Sequence, residues 1–267
     1  MKKTTSLSDA FLSQMIAELD NESVRAIILR GSYARGDAIP HYSDVDFTLI
    51  IHEAAGHNLP KCFFWRQGYL VSVSTHSYAA YRERLTKPEQ AIFAVTGVRE
   101  AQILLDKDGE FHHFQKEVAH FQWTPLQDDA NAYAGQKLML LSEIILRTLK
   151  VLVFSDDTLL AKMLLDILMD STEAIAVQRG ILVVGQNYWQ AVQESIGYNS
   201  AWTYYQKIAS GNSATASPTL RERAIAALHF YQETCRLLQT HLLSEHMEVI
   251  EPLLKLIEQT LADKEIS

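Results

Sequence analysis

The stretch Gly31-Ser32-Tyr33-Ala34-Arg35-Gly36-Asp37, followed by Ser43-Asp44-Val45-Asp46-Phe47-Thr48-Leu49-Ile50, decides how this chain is read. An apolar run, Val24 to Leu29, leads into Gly31-Ser32, and eleven residues then separate Ser32 from Asp44. The order predicts strand, tight loop, strand. Strand residues alternate faces, so Asp44 and Asp46 project one way while Val45, Phe47, Leu49 and Ile51 project into a core. Two carboxylates on one face can hold a hard divalent cation, which takes oxygen ligands and completes its shell with water and phosphate oxygens. Gly31 lets the backbone turn sharply and approach a ligand, and Ser32 offers a hydroxyl and an amide to phosphate.

Gly31-Ser32 followed by Asp44-x-Asp46 in a hydrophobic strand resembles the DNA polymerase β nucleotidyltransferase superfamily, most of all its small-molecule branch, the aminoglycoside and lincosamide nucleotidyltransferases. The resemblance implies an α+β fold, with a small mixed β-sheet nucleotidyltransferase domain followed by an all-α helical bundle. It implies transfer of a nucleoside monophosphate, AMP from Mg-ATP in the first instance, to a hydroxyl of a small molecule such as an antibiotic. Asp44 and Asp46 would hold Mg²⁺ or Mn²⁺, and Gly31, Ser32, Arg35 and Ser43 would contact the nucleotide. The family's closing strand and Asp-x-x-Gly turn are matched by Ala101 to Leu105 and Asp106-Lys107-Asp108-Gly109.

The family brings a third carboxylate from a neighbouring strand, and here the best candidate strand, Tyr69 to Thr75, offers Ser72. A serine supplies neither charge to a metal nor a useful base at neutral pH. Either the strand is misregistered, or Glu53, Glu83 or Asp106 substitutes, or the protein binds nucleotide without turning it over. A one-residue slip brings only Val71 or Val73 to the site. The alternative function is therefore a weak or inactive relative that binds nucleotide or a protein partner, as antitoxin-like members do.

In the antibiotic enzymes a helix of the second domain carries a glutamate that acts as general base. The segment Leu138 to Arg147 is similar, and Glu143 stands alone among its apolar residues. Apolar surroundings would raise the basicity of Glu143, and Arg147 could reach phosphate. Equally, Glu143 and Arg147 form an ordinary i,i+4 helix pair worth a few tenths of a kcal/mol, roughly. Arg35 and Asp37 divide in the same way between ligand contact and a surface pair. His112, His113 and His120 have no carboxylate or cysteine to complete a metal set, and Tyr188, Trp189, Trp202, Tyr204 and Tyr205 suit either an acceptor pocket or a core.

The chain has 267 residues, 48% of them hydrophobic, and a formal net charge of −8. That suits two domains, placed here at 1–122 and 123–267 about a hinge near Thr124-Pro125. The acidic balance and the lack of a basic stripe argue against a nucleic-acid partner and fit a small or cationic acceptor. Cys62 and Cys235 lack metal-ligand spacing, and no long apolar run suggests a membrane span, so a cytoplasmic protein with reduced thiols is expected. An extended helical surface permits a homodimer.

The periodicity predicts helices over 7–19, 77–85 and 88–96, then one long helix from Asp128 or Asp129 to Val153 and another from Asp156 or Asp157 to Arg179. Further helices are expected over 188–196 and 201–209, from Ser217-Pro218 to Leu243, and over 246–262, with Pro252 able to move the start of the last to Glu251.

Overall fold

The computed structural model describes residues 6–52, 62–154, 159–185, 188–212 and 217–262. The chain divides into two compact units, one of Met1–Thr124 with the short return Leu182–Gln186, the other of Pro125–Ile181 with Asn187–Ser267.

The first unit is built on a mixed sheet of β1 (Val24–Arg30), β2 (Val45–Ile51), β3 (Cys62–Arg66), β4 (Tyr69–His76) and β5 (Gln102–Asp106). The spatial order is β3-β4-β2-β1-β5, with β2 and β4 parallel and the other neighbours antiparallel. Its helices are α1 (Asp9–Leu19), α2 (Gly31–Arg35), α3 (Tyr78–Leu85), α4 (Pro88–Arg99) and α5 (Glu110–Ala119).

Alternation sorts the strand residues onto two apolar faces. Ile27, Leu29, Val45, Phe47, Val71 and Val73 pack with Phe11 and Met15 of α1. On the opposite face Ala26, Ile28 and Ile50 pack with Tyr78, Tyr81, Val95, Val98, Phe111 and Phe114. Cover on both faces explains why β1 and β2 read as nearly continuous apolar runs. Each large side chain so buried contributes about 1.5–3 kcal/mol.

Local chemistry sets the ends. Ser8 caps α1 by accepting from the Phe11 amide at 3.2 Å, and Pro88 occupies the first turn of α4. The Asp-x-x-Gly turn is the start of α5. Gly109 takes the left-handed conformation there, and the Asp106 carboxylate accepts from the amides of Phe111 (3.4 Å) and His112 (3.0 Å). Sequence reading expected no strand at β3. It forms through the two-residue loop Gln67-Gly68, both at positive φ, the backbone that joins antiparallel strands tightly.

The second unit consists of α6 (Gln127–Leu140), α7 (Ser142–Phe154), α8 (Leu160–Gln178), α9 (Tyr188–Ile196), α10 (Ala201–Ala209), α11 (Leu220–Leu238) and α12 (Ser244–Ala262). The single helix expected from about 128 to 153 is two, broken at Leu141. The buried Tyr231 hydroxyl donates to the Leu138 carbonyl at 3.1 Å, beside the break. The start of α11 is capped by a Thr219–Glu222 box rather than by Ser217-Pro218. Pro252 lies inside α12, which begins eight residues earlier at Ser244 rather than near Glu251. Trp202 is core, packed on Phe230 and donating to the Thr234 hydroxyl at 3.0 Å. Among the described residues no helix is long and apolar enough to cross a membrane.

Candidate active site

At the end of β1 the chain turns through Gly31, whose φ is +68°, into the short helix α2. A Cβ at Gly31 would stand 2.6 Å from the Asp46 Oδ2. Glycine is therefore required twice, by the left-handed backbone and by the approach to the carboxylate. The loop expected at Gly31-Ser32 is in fact this single helical segment, which closes at Gly36.

Asp46 lies on the same sheet face as Thr48, as the sequence alternation predicted, and cross-strand pairing puts Arg30 on one side of it and Ser72 on the other. The parallel register of β2 and β4 matches Asp46 with Ser72, Thr48 with Ser74 and Ile50 with His76. Ser72 is fully buried (0% exposed), and among the described residues its hydroxyl finds no hydrogen-bond partner. The next pair along, Thr48 and Ser74, are bonded at 2.8 Å.

A cavity of about 410 Å³ opens on this face. Arg30, Asp46, Thr48, Ser74 and His76 line it from the sheet, with Gly31 and Arg35 of α2, Arg84 of α3, Thr96, Gly97 and Glu100 of the α4 region and Val183 and Gly185 of the return segment. The return is held to α4 by the Val183 amide on the Ile92 carbonyl (2.8 Å) and by the Thr96 hydroxyl on the Val183 carbonyl (2.6 Å).

Arginine sets the electrostatics of the cavity. Arg30 donates to the Tyr81 hydroxyl at 3.2 Å, while among the described residues its buried Nε has no partner. A Cβ at Gly97 would fall 2.1 Å from Arg30 Nη2, so that glycine makes room for the guanidinium. Burial first, then the charges of Arg84 and Arg30, hold the His76 imidazole far below its ordinary value, at about 4. It is neutral at pH 7 and adds no further positive charge.

Of the residues expected at the site, Gly31, Arg35 and Asp46 line this cavity. Arg35 also pairs with Asp37 (3.3 Å) and Glu100 (3.6 Å), so the surface-pair reading of Arg35 holds alongside its place in the cavity. Asp44 precedes β2 and is half-buried. Ser43 is engaged in the turn before β2, its hydroxyl accepting from the Ile39 amide at 2.9 Å. Ser32 sits in α2, its carbonyl accepting from the Asp37 amide at 3.0 Å.

The apolar surroundings expected for Glu143 are not there. Its side chain is 71% exposed and ion-paired with Arg147. The reason is helical phase: Ile145, Thr148, Leu149 and Leu152 form the buried face of α7, and 143 and 147 fall opposite. Among the substitutes for the third acid, Glu83 is exposed and paired with Lys87 at 2.6 Å, and Asp106 is occupied in capping α5. Glu53 lies outside the described residues.

Sequence reading missed Arg30, His76, Arg84 and Glu100. Arg30, directly before Gly31, carried a signal, since a charged residue closing an apolar strand beside a glycine turn points at whatever that turn approaches. His76 is placed by the β2–β4 register, and Arg84 and Glu100 become its neighbours only through the packing of α3 and α4. Among the described residues no group of three or more His, Cys, Asp or Glu could hold a metal.

Residues 12–91 match the model of the family described as the nucleotidyltransferase domain. No curated protein matches the chain. Among solved structures it is similar to a nucleotidyltransferase-like protein from Exiguobacterium sibiricum 255-15, at 13% identity over 86% of this chain and 73% of that one, with a TM-score of 0.48. Residues 12–91 of the first unit are thus similar to a nucleotidyltransferase domain, for which a nucleotide substrate and nucleotidyl transfer are the general chemistry.

Proposed function

We propose that the protein transfers a nucleoside monophosphate, AMP from ATP in the leading case, to a hydroxyl of a small molecule. The observation that carries this is the placement of Asp46 against Gly31 in a cavity with three arginines. Arg30, Arg35 and Arg84 would bind phosphate oxygens, for which the planar guanidinium fork is suited, and the Arg30 Nε has a donor to spare.

Asp44 and Asp46 are the residues that would hold a divalent cation. A pair of carboxylates with a neutral Ser72 beside it fits a cation that arrives with the nucleotide and keeps phosphate and water in its shell. Such a cation, Mg²⁺ or Mn²⁺, supplies charge stabilisation to the phosphoryl group during transfer. The acceptor oxygen forms a bond to the α-phosphorus as the bond from that phosphorus to the bridging oxygen breaks, the hydroxyl proton passes to solvent, and pyrophosphate leaves. The chain's part is to bring the reactants together and to hold the charge that shifts onto the leaving group. No covalent enzyme intermediate is needed.

One observation favours a second reading. Ser72 stands, buried and neutral, at the register position beside Asp46, which suits a protein that binds nucleotide, or a protein partner, without turnover. Incubation with α-labelled ATP, Mg²⁺ and a panel of hydroxylated acceptors separates the two. Label transfer that disappears in Asp44→Asn and Asp46→Asn, with unfolding midpoints near wild type, supports the transferase. Nucleotide binding with no label transfer to any acceptor supports the second reading.

A further inference from the structure

The site face of the sheet continues past Asp46 to the edge strand, and what stands there is aromatic. Antiparallel pairing sets Phe63 opposite Ser72 and Trp65 opposite Leu70, while Phe64 and Arg66 turn to the α1 face. Phe63 and Trp65 therefore share the face of Ser72 and Asp46. One row across four strands reads Phe63, Ser72, Asp46, Arg30. Phe63 is 56% exposed and Trp65 is 69% exposed. A large aromatic on an edge strand is costly to leave in water and invites unwanted pairing, so Trp65 on the site face needs a reason.

We infer that Phe63 and Trp65 form a stacking platform for the base of the nucleotide whose phosphates lie on the arginine side of Asp46. This rests on the nucleotide reading given above. The row fixes the direction. Guanidinium stands on one side of the carboxylate and aromatic rings on the other, as a molecule with an anionic end and a flat, apolar end requires. Strands lie about 4.8 Å apart, so the Phe63 column is roughly 10 Å from that of Asp46, within the reach of a nucleoside from its 5′ oxygen to its base. The intervening Ser72, buried and uncharged, adds no second negative charge to the row. Stacking of this kind tolerates different bases, because every base has a π-face.

The test is calorimetric titration, with Mg²⁺ present, of ATP and of inorganic tripolyphosphate into wild type, Trp65→Ala and Trp65→Phe. Tripolyphosphate keeps the anionic end and lacks the base. The expected result is that Trp65→Ala weakens ATP by about 5- to 140-fold and leaves tripolyphosphate unchanged, while Trp65→Phe stays near wild type. Exposed as it is, Trp65 can be changed without disturbing the core. ATP bound equally by wild type and Trp65→Ala would overturn the platform while leaving the phosphate site standing. Wild type that binds neither ligand would overturn the nucleotide reading itself.

Discussion

Replacing Gly31 by alanine tests the geometry at its narrowest point, and Gly109→Ala supplies the reference. Both glycines are left-handed, with φ of +68° and +73°, but a Cβ at Gly109 meets nothing within 4 Å, whereas at Gly31 it meets the Asp46 carboxylate at 2.6 Å. Forcing alanine into that backbone costs about 1–2 kcal/mol, and Gly109→Ala should show only this. Gly31→Ala adds the displacement of Asp46 from its rotamer, about 0.5–1.5 kcal/mol, for a total near 1.5–3.5 kcal/mol. Urea unfolding with an unchanged m-value measures both losses, and titration with Mg-ATP measures the function. Gly31→Ala should lose nucleotide binding and Gly109→Ala should keep it. Equal stability losses, with ATP binding intact in both variants, would refute the claim that the glycine exists to admit Asp46.

Other outcomes follow from the cavity and from α7. Arg30→Ala should weaken tripolyphosphate by roughly 10- to 150-fold, the worth of a hydrogen bond to a charged group, and titration calorimetry checks it. His76 has a folded-state value of about 4 against an ordinary 6.5, so the unfolded chain binds the extra proton first. Stability is therefore full above pH 6.5 and declines as pH falls from there to about 4; the decline should flatten in His76→Gln, followed as the urea midpoint against pH. Glu143→Ala should cost no more than about 0.5 kcal/mol, as an exposed i,i+4 pair does, and should leave label transfer at the wild-type rate. A hundredfold loss of transfer in that variant would restore Glu143 as the base.

The fold was legible where the chain is periodic. Alternation over 45–51 placed Asp46 on the face opposite Val45 and Phe47, and the parallel register then set Ser72 beside it. What escaped was what depends on partners. The edge strand β3 holds three consecutive aromatics with no alternating polar residues, and it becomes a strand only by pairing with β4. The break at Leu141 carries no glycine or proline to announce it. Glu143 looked buried because its sequence neighbours are apolar; on a helix the neighbours that share its face are three and four residues away, and Leu146 and Arg147 are exposed with it while Ile145, Thr148, Leu149 and Leu152 face inward. Arg84 and Glu100 come from two helices, so no local motif links them to Asp46.

Net charge and the charge of the cavity differ. The chain carries −8, from which a small or cationic acceptor is expected, while Arg30, Arg35 and Arg84 line the cavity with Asp46 and Glu100. Charge on a distant surface is screened over about 8–10 Å of salt solution, whereas a guanidinium lining the cavity acts on a ligand at contact distance. Glu100 is drawn to Arg35 at 3.6 Å, and among the described residues Arg30 and Arg84 have no carboxylate within 4 Å. A polycation entering the cavity would meet that charge at close range, and an anion would gain from it. The same arginines bear on the missing third acid. With Arg30 paired across from Asp46 on β1 and a neutral Ser72 on β4, the row around Asp46 needs less cation to accept a polyphosphate than a row of three carboxylates would. On the proposed reading chain and cation would share the charge on the phosphates, and substitutions at Arg30 should change nucleotide affinity even where Mg²⁺ is saturating.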